Sequence, residues 1–225
     1  MTKISVIMSV LNAEKTVEKS IQSILSQNFE NFEFLIMDDG SSDNTFKKVE
    51  KYTMNDDRVK LFKNEKNIGL TRSLNKLIDY SKGTFIARQD SDDESLQSRF
   101  SEQIDFIIKN KLDGCGTLSV SKQSDKVVNN LKSRLPLHFV IKYRNPFIHG
   151  TLMLKRQVLI DIGKYDENFY YAQDYKLLSD MIKSNYKLAI LKNVFYVLNT
   201  ENNISTLKKK EQNYYANCVR SSRSP

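Results

Sequence analysis

Apolar and polar positions follow two different periods in the first half of the chain, and these periods predict alternating strands and helices. Residues 3–11 form a nearly continuous run of Ile, Val and other apolar side chains, which is typical of a strand buried on both faces of a parallel sheet. From residue 14 to residue 27 the apolar positions recur at spacings of three and four, which predicts a helix with Asn12 as its cap. Strand and helix then alternate three more times.

The further elements of this half are predicted from the same two periods. They are strands at residues 32–37, at 59–62 and from residue 84, and helices at residues 44–52, 71–80 and 96–109. This alternation favours βαβ units around a parallel sheet that helices cover. Ligands of such sheets bind beyond the carboxyl ends of the strands. Two acidic turns, residues 38–43 and 90–93, follow predicted strands, so we expect them to line one crevice.

The second half has a weaker pattern. Apolar runs predict strands at residues 112–120, 147–154 and 187–198, and a helix that begins at Asp174. Residues 121–145 are basic and weakly patterned, so we expect them to pass over the site as a variable excursion. We expect residues 1–205 to form a single domain and residues 206–225 to form a polar, basic tail that could be truncated.

Three carboxylates, Asp90, Asp92 and Asp93, fall within four residues after the strand that starts at residue 84. Carboxylates this close repel one another unless a positive charge lies between them. A hard divalent cation, Mg²⁺ or Mn²⁺, is a common partner because it bridges carboxylates to substrate phosphates. The alternative is an acidic turn in which Asp93 or Ser95 caps the following helix. The cluster by itself favours neither interpretation.

The familiar glycine-rich phosphate sites are absent from the sequence. No GxGxxG follows the first predicted strand, which argues against a dinucleotide-binding site, and no GxxxxGK[ST] occurs, which argues against a P-loop NTPase. A nucleotide bound by this chain would therefore be held by carboxylates and a metal ion.

Composition and length bound the class of protein. A chain of 225 residues, 40% of them hydrophobic and 28% charged, is long enough for one domain with a buried core. No apolar run reaches the roughly 20 residues needed to span a bilayer, and residues 1–4 lead into a strand without a signal-peptide pattern. Cys115 and Cys218 lie far apart, which favours a reducing compartment, and two histidines leave little room for a zinc site. We expect a cytoplasmic protein.

The positive charge is concentrated in one stretch. The formal net charge is +8, and residues 122–156 hold eight Lys or Arg side chains against one acid, Asp125. Such a stretch is either a solvated face or a surface that meets an anionic partner, such as a bilayer, a pyrophosphate or a nucleic acid. We favour the anionic partner, and with a bilayer the protein would lie on the inner face of the plasma membrane.

Seven short motifs occur in a characteristic order and spacing. They are SVIMSVLN (5–12), ILSQ (24–27), FLIMDDGSSD (34–43), NIGL (67–70), IARQDSDD (86–93), NPFIH (145–149) and AQD (172–174). Together they resemble the family 2 glycosyltransferases of GT-A fold, and most closely the bacterial enzymes that build surface polysaccharides. The resemblance covers about residues 3–200. It implies an α/β fold with a Rossmann-like, mostly parallel central sheet and helices on both faces.

The resemblance also implies how a nucleotide-sugar donor binds. Asp90-Ser91-Asp92 corresponds to the DxD motif, in which Asp92 would contact Mn²⁺ or Mg²⁺ directly and Asp90 would face the ribose or act through water. Asp39 would contact the base or the ribose. The other implied donor contacts are Ser9, Val10 and Leu11 around the base, Arg88 next to the DxD motif, where Arg99 also lies, and, by a weak correspondence, Arg72.

Asp174 corresponds to the catalytic base of the family. An acid in the first turn of a helix is also favourable for the helix dipole, so its position fits a structural role as well. His149 and Tyr171 are implied to lie on the acceptor side, although each also fits a packing role. The base would accept the proton of an acceptor hydroxyl in a single displacement with inversion, while the metal ion offsets the charge of the leaving diphosphate.

The implied activity is that of a hexosyl- or N-acetylhexosaminyltransferase. It would add one sugar, from a UDP-sugar, to a bacterial surface glycan such as O-antigen or capsule on a lipid carrier. The chain has no tryptophan and so lacks the QxxRW motif of processive synthases, which favours the addition of a single sugar. Gln173 stands where many relatives carry Glu, which leaves open a catalytically weak or truncated member of the family.

Two other functions fit the sequence less well. A nucleotidyltransferase of related α/β fold needs a glycine-rich basic loop after the first strand, where this chain has Leu11-Asn12-Ala13-Glu14. A nucleic-acid-binding domain is disfavoured because the acidic cluster would repel phosphate and the apolar strands offer no stacking aromatics.

Overall fold

The computed structural model of the chain describes residues 3–128, 136–201 and 207–225. In the first half, four strands alternate with four helices. The strands are β1 (Ile4–Val10), β2 (Phe32–Asp38), β3 (Val59–Lys63) and β4 (Phe85–Arg88), and the helices are α1 (Val17–Leu25), α2 (Thr45–Thr53), α3 (Leu70–Tyr80) and α4 (Arg99–Lys109). Every predicted element of this half is confirmed.

A two-residue strand lies just before α4, and the remaining elements form the second half. The strands are β5 (Glu94–Ser95), β6 (Gly114–Ser121), β7 (Val127–Val128), β8 (Met153–Lys155) and β9 (Leu188–Leu198). The helices are α5 (Leu137–Val140), α6 (Arg156–Asp161), α7 (Gln173–Lys183) and α8 (Lys209–Arg220), with a short 3-10 helix at His149–Thr151. Each of these helices, like those of the first half, is too short or too polar to cross a bilayer.

The described strands form one sheet in the order β3-β2-β1-β4-β8-β6-β9-β5, and β7 pairs with β6. Strands β3, β2, β1 and β4 are parallel, β8 is antiparallel to both of its neighbours, and β6 is parallel to β9. In the register of the sheet Val10 pairs with Asp38, and Ile7 pairs with Arg88. The carboxyl ends of β1, β2 and β4 therefore lie side by side, which is where the sequence predicts the site.

Both faces of the sheet are covered, as predicted. Side chains from α1 and α4 pack with Val6 and Met8 of β1 on one face. Side chains from α3 and α7 pack with Ile7 of β1 and Leu35 of β2 on the other face. Burial on both faces explains why β1 and β2 read as continuous apolar runs rather than as alternating ones.

Two predictions for the second half are wrong. The predicted strand at residues 147–154 forms only from Met153 onward, because the 3-10 helix occupies its middle. The residues expected to form a polar tail include α8, whose Cys218 and Val219 are 0% and 3% exposed. Both side chains belong to the same apolar cluster as Leu177 and Met181 of α7, so α8 packs on the domain. The predicted boundary at residues 205 and 206 lies outside the described residues.

Candidate active site

Asp39, the expected contact of the base or ribose, joins three segments at the end of β2. Its backbone N–H donates to the carbonyl of Val10 at 2.9 Å. Its Oδ1 accepts hydrogen bonds from Asn64 Nδ2 at 2.8 Å and from the N–H of Ile68 at 3.0 Å, and its Oδ2 accepts from the N–H of Gly69 at 2.9 Å. Each carboxylate oxygen has two lone pairs, so Oδ2 can accept one more bond from a ligand.

Residues 9–11 lie at the end of β1 and offer mainly backbone to the site. The side chain of Val10 is 1% exposed and packs in the core, whereas Leu11 is 42% exposed. Ser9 is half-buried. The prediction that Asn12 caps α1 is wrong, because α1 begins at Val17 and Asn12 Oδ1 instead accepts from the N–H of Ser42 at 2.9 Å. Asn12 thus holds the end of β1 against the turn that follows β2.

The acidic turn, residues 90–93, follows β4 directly. Arg88 is 2% exposed and its Nη2 donates to Asp90 Oδ1 at 2.6 Å. Asp93 is 2% exposed, and its Oδ1 accepts from the N–H of Asn199 at 2.7 Å. The alternative in which Asp93 or Ser95 caps α4 is wrong, because Ser98 precedes α4 and Ser95 belongs to β5. The turn is therefore held between β4 and the end of β9, and Ser91 at its tip is half-buried.

Crowding and burial raise the pKa of two carboxylates in this turn. Burial, with the negative charge of Asp90 added to it, raises the pKa of Asp92 to about 6. Burial and the charges of Asp90 and Asp92 raise the pKa of Asp93 to about 8. A cation at Asp92 would offset this repulsion, and carboxylate oxygens are ligands that suit Mg²⁺ and Mn²⁺.

The described residues contain no group of three His, Cys, Asp or Glu side chains that could hold a metal ion by themselves. A metal ion at this turn would therefore have few protein ligands, with Asp92 the chief one. Mg²⁺ is commonly bound in this way, by one or two carboxylates together with substrate phosphates and water. The acidic turn thus fits a metal ion that arrives with a diphosphate.

A buried polar network lies under the acidic turn. Gln89 is 0% exposed, and its Nε2 donates to the carbonyl of Asp93 at 2.9 Å and to Ser20 Oγ at 3.0 Å. Gln89 Oε1 accepts from Ser95 Oγ at 2.7 Å and from Arg99 Nη1 at 3.2 Å. Burial lowers the pKa of Arg99 to about 10. The sequence analysis placed Arg99 near this motif but missed Gln89 and Ser20, since a polar residue in a strand or helix carries no periodic signal.

Asp174, the candidate base, lies in the first turn of α7 and is half-buried. Its Oδ2 accepts a hydrogen bond from Asn145 Nδ2 at 2.6 Å. Asn145 Oδ1 in turn accepts from the N–H of Phe147 at 3.0 Å, which fixes the amide with its donor toward Asp174. The sequence analysis quoted Asn145 within a motif but gave it no role. The structure makes it the residue that orients Asp174.

His149, expected on the acceptor side or in a strand, lies in the 3-10 helix. Its Nε2 is 2.8 Å from the hydroxyl of Tyr165. Burial lowers the pKa of His149, and the positive charge of Arg88 lowers it further, while Asp174 and Asp90 oppose the shift. His149 thus lies in the 3-10 helix whose Gly150 packs against Tyr196 and Asp90, next to the acidic turn.

Tyr171 contacts other tyrosines, and Arg72 pairs with a surface glutamate. The ring of Tyr171 packs edge-on against Tyr170 at 5.2 Å and against Tyr215 of α8 at 5.7 Å. Arg72 is more than half exposed, and its Nε lies 3.2 Å from Glu167 Oε2. Tyr171 therefore belongs to an aromatic cluster at the rim, and Arg72 forms a surface ion pair.

A cleft of about 500 Å³ opens next to Asp92. Its lining residues are Lys15, Thr16, Lys19, Asp92, Glu94, Lys122, Gln123, Asn199 and Glu201. Lys122 pairs with Glu94 at 2.7 Å, and Lys15 and Lys19 are exposed at the start of α1. The cleft thus combines three cations with three carboxylates, Asp92, Glu94 and Glu201, and it places the exposed lysines beside the acidic turn. Sequence analysis missed Lys15 and Lys19, which are far from Asp92 along the chain.

Comparisons with known proteins identify relatives of the chain. The family model described as Glycosyl transferase family 2 matches residues 5–166. The O-antigen biosynthesis glycosyltransferase WbnJ of Escherichia coli is 35% identical over 179 residues, which cover 77% of this chain and 69% of WbnJ. From the same organism, the UDP-Glc:alpha-D-GlcNAc-diphosphoundecaprenol beta-1,3-glucosyltransferase WfgD is 32% identical over 183 residues, 81% of this chain and 70% of WfgD.

A third relative is longer than the chain. The Bacillus subtilis protein EpsE, named as a glycosyltransferase, is 37% identical over 157 residues, which cover 68% of this chain. The match spans 56% of the length of EpsE.

Solved structures share the fold. TarS 1–349 of S. aureus in complex with UDP-GlcNAc superposes with a TM-score of 0.73 at 23% identity, covering 90% of this chain and 60% of that one. The mannosyltransferase PcManGT from Pyrobaculum calidifontis, in complex with GDP-Man and Mn²⁺, has a TM-score of 0.77 at 16% identity and covers 99% of this chain and 66% of that one. The expected GT-A fold is confirmed by this likeness.

Proposed function

Because the chain belongs to glycosyl transferase family 2, we propose that it moves a single sugar from a nucleoside diphosphate sugar to an acceptor hydroxyl, with inversion at the anomeric carbon. The observation that supports the proposal is that Asp39 and the acidic turn follow β2 and β4 at one edge of the sheet, and that the 3-10 helix of His149 packs against Asp90. The segment before that helix carries Asn145, which holds the half-buried Asp174. An α/β sheet binds its ligands at this edge. The glycan is expected to be a bacterial surface polysaccharide, which the O-antigen biosynthesis in the name of WbnJ supports.

The proposed donor is a UDP-sugar. Asp39 Oδ2 would contact the base or ribose, residues 9–11 would frame the base with their backbone, and Arg88 would hold Asp90 in place by its ion pair. UDP-GlcNAc bound to TarS and the UDP-Glc in the name of WfgD support this choice of nucleotide. A guanosine nucleotide, as in PcManGT, is the competing donor class.

Asp92 would hold Mn²⁺ or Mg²⁺, and the ion would act as a Lewis acid that offsets the charge of the leaving diphosphate. The Mn²⁺ bound to PcManGT supports a divalent cation in this fold. Lys15, Lys19 and Lys122 surround the cleft at Asp92 and would add positive charge near the same phosphates. The protein thus contributes both a metal ligand and direct cations to stabilise the leaving group.

Asp174 would accept the proton of the attacking hydroxyl. Asn145 occupies Oδ2 at 2.6 Å, and no described donor bonds to Oδ1. Oδ1 is therefore the atom free to face an acceptor, and Asn145 fixes the plane of the carboxylate while the proton moves. A general base must lie within hydrogen-bond reach of the proton it removes, and a carboxylate held in one orientation meets that need.

The proposed acceptor is a glycan on a lipid carrier. Diphosphoundecaprenol appears in the name of WfgD, and PP-undecaprenol appears in the name of a Campylobacter jejuni glucosyltransferase that is 37% identical over 102 residues. An enzyme that uses such an acceptor works at a membrane surface, here the inner face of the plasma membrane. The basic residues 122–156 are the part of the chain proposed to meet anionic lipid.

The test is thermal stability against UDP, GDP, CMP and dTDP, each with and without Mn²⁺. A ligand that binds only the folded state adds about 2.7 kcal/mol of stability at a hundred times its dissociation constant. We expect a rise of the unfolding midpoint with UDP that needs Mn²⁺, and we expect Asp92→Ala to lose the Mn²⁺-dependent part. A rise with another nucleotide would change the donor class. Folded protein that responds to none of the four would contradict the transferase function.

A further inference from the structure

Two aromatic rings stand exposed on the segment formed by α5 and the turn after it. Val140 and Ile141 are each 5% exposed, and the hydroxyl of Tyr175 donates to the carbonyl of Ile141 at 2.7 Å, so one side of the segment is anchored in the core. On the other side, Phe139 is 53% exposed and Tyr143 is 59% exposed. The two ring centroids lie 5.4 Å apart. The segment therefore holds a pair of adjacent aromatic rings in solvent.

Positive charge surrounds these rings. Lys142 and Arg144 are exposed, and neither forms an ion pair with a described carboxylate. No acidic residue occurs in the sequence between Asp125 and Asp161. Arg220 of α8, also exposed, donates from Nη1 to the carbonyl of Tyr143 at 3.1 Å and adds a cation from a second element. The exposed face of the segment is thus both aromatic and basic.

The same segment leads directly to the candidate base. Asn145 follows Arg144 in the chain and donates to Asp174 Oδ2 at 2.6 Å. The aromatic and basic face is therefore directly linked along the chain to the residue that contacts the candidate base.

We propose that His138, Phe139, Lys142, Tyr143 and Arg144, the 138–144 surface, dock the protein on an anionic phospholipid bilayer. Aromatic rings favour the boundary between headgroups and acyl chains, and Lys and Arg bind anionic headgroups. We infer a bilayer as the partner because the basic side chains are complementary to an anionic surface. The two exposed rings are apolar and can insert into that surface. This inference narrows the basic stretch to one surface and rests on the proposed function, in which the acceptor is presented by a lipid carrier.

The test is flotation of the protein with vesicles of phosphatidylcholine alone and with vesicles that also contain phosphatidylglycerol. Wild-type protein is expected to float with the anionic vesicles only. Each cation near an anionic membrane strengthens binding about fivefold, so Lys142→Glu with Arg144→Glu is expected to weaken binding more than about twentyfold. Phe139→Ser with Tyr143→Ser is expected to weaken it at least about tenfold, since both rings lose their interfacial contact.

The matched control is Lys47→Glu with Lys51→Glu, which makes the same charge change at exposed positions of α2. It is expected to float as the wild type does. An equal loss in this control would mean that net charge alone governs binding, and the 138–144 surface would be wrong. The inference would also be overturned if wild-type protein did not float with anionic vesicles, or if it bound nucleic acid in preference to them. Self-association of the wild type that is lost in the surface variants would overturn it as well.

Activity separates this inference from the proposed function. Both surface variants are expected to turn over a water-soluble acceptor analogue at the wild-type rate and to lose turnover of an acceptor embedded in vesicles. If flotation fails while the soluble assay works, the surface is wrong and the transfer function stands. If the surface variants lose flotation as expected while no sugar is transferred to any acceptor, the 138–144 surface is confirmed and the proposed function is wrong.

Discussion

One oxygen of Asp174 accepts a hydrogen bond from Asn145 and the other accepts from no described donor, which makes this side chain the most informative single residue to change. Asp174→Asn keeps the shape of the side chain but removes its ability to accept a proton. Because a positioned general base contributes about 10²–10⁴-fold to rate, we expect turnover to fall by that factor. Donor binding, measured by the UDP-dependent rise of the unfolding midpoint, should stay at the wild-type level. Normal turnover would show that the base lies elsewhere.

Asn145 is expected to act through Asp174 rather than on a substrate. Asn145→Ala removes the donor at 2.6 Å from Asp174 Oδ2. Loss of one hydrogen bond to a charged group costs about 1.5–3 kcal/mol, so we expect turnover to fall at least about tenfold while the Michaelis constant for the donor stays unchanged.

Asn145→Asp gives a readout that a purely structural role would not. A second negative charge at this distance opposes ionisation of the base. The base is then active only at higher pH, so the acidic limb of the pH–rate profile should move to higher pH than in Asn145→Ala. Asn55→Asp, at an exposed position near the end of α2, is the control and should leave the profile unmoved. Identical profiles for the two Asn145 variants would contradict the positioning role.

The short 3-10 helix packs against the acidic turn. A Cβ atom at Gly150 would overlap Tyr196 Oη and would lie 2.8 Å from Asp90 Oδ2. Tyr196 is 0% exposed, and its hydroxyl accepts from the N–H of Asp90 at 3.1 Å. Gly150→Ala must therefore displace either the tyrosine or the turn. We expect it to cost about 1–3 kcal/mol of stability and to weaken Mn²⁺-dependent UDP binding.

The control for this element is Gly163→Ala. Gly163 has φ +84° and no heavy atom within 4 Å of an added Cβ. The substitution strains the backbone by about 1–2 kcal/mol but touches nothing near the site. Urea unfolding should therefore show a loss in both variants, whereas UDP binding with Mn²⁺ should weaken in Gly150→Ala alone. Unchanged binding in Gly150→Ala would separate the 3-10 helix from the site.

The same element explains one limit of prediction from sequence. Residues 147–154 have a strand-like composition, yet residues 149–151 form the 3-10 helix, in which Gly150 packs against Tyr196, a residue far away in the chain. β1 and β2 were predictable because a strand buried on both faces requires a continuous run of apolar residues, which is visible in the sequence. β5 spans Glu94 and Ser95 only and pairs with the end of β9, so its two residues carry no periodic signal.

The candidate site shows the same division between local and distant information. The turns at residues 38–43 and 90–93 are contiguous, so their acidic character is visible in the sequence. The pairing of Asn145 with Asp174, the lysines beside Asp92 and the packing of Gly150 against Tyr196 and Asp90 depend on the order of strands in the sheet. Spacing along one chain does not determine that order beyond the parallel first half.

Deletion of the C-terminal helix α8 tests whether the molecule unfolds as one cooperative unit. Its Cys218 and Val219 are buried in the cluster that contains α7, and Tyr215 packs on Phe169 at 6.0 Å and on Tyr171 at 5.7 Å. Full burial of an apolar side chain stabilises a protein by about 1.5–3 kcal/mol, so we expect deletion of residues 207–225 to cost at least about 3 kcal/mol in urea unfolding. Tyr214→Ala, at a ring that is 50% exposed, is the control and should cost less than about 1 kcal/mol.

The deletion should also lower turnover, because Tyr171 lies three residues before Asp174 and loses its partner Tyr215. Binding of UDP should change little, since Asp39 and the acidic turn lie at the ends of β2 and β4. A single unfolding transition at a lower urea midpoint would mean that α8 unfolds together with the sheet. An unchanged midpoint with unchanged turnover would mean that α8 contributes nothing to stability or turnover. The segment would then behave as the predicted polar tail does, although it is helical. The buried Cys218 and Val219 favour the first outcome.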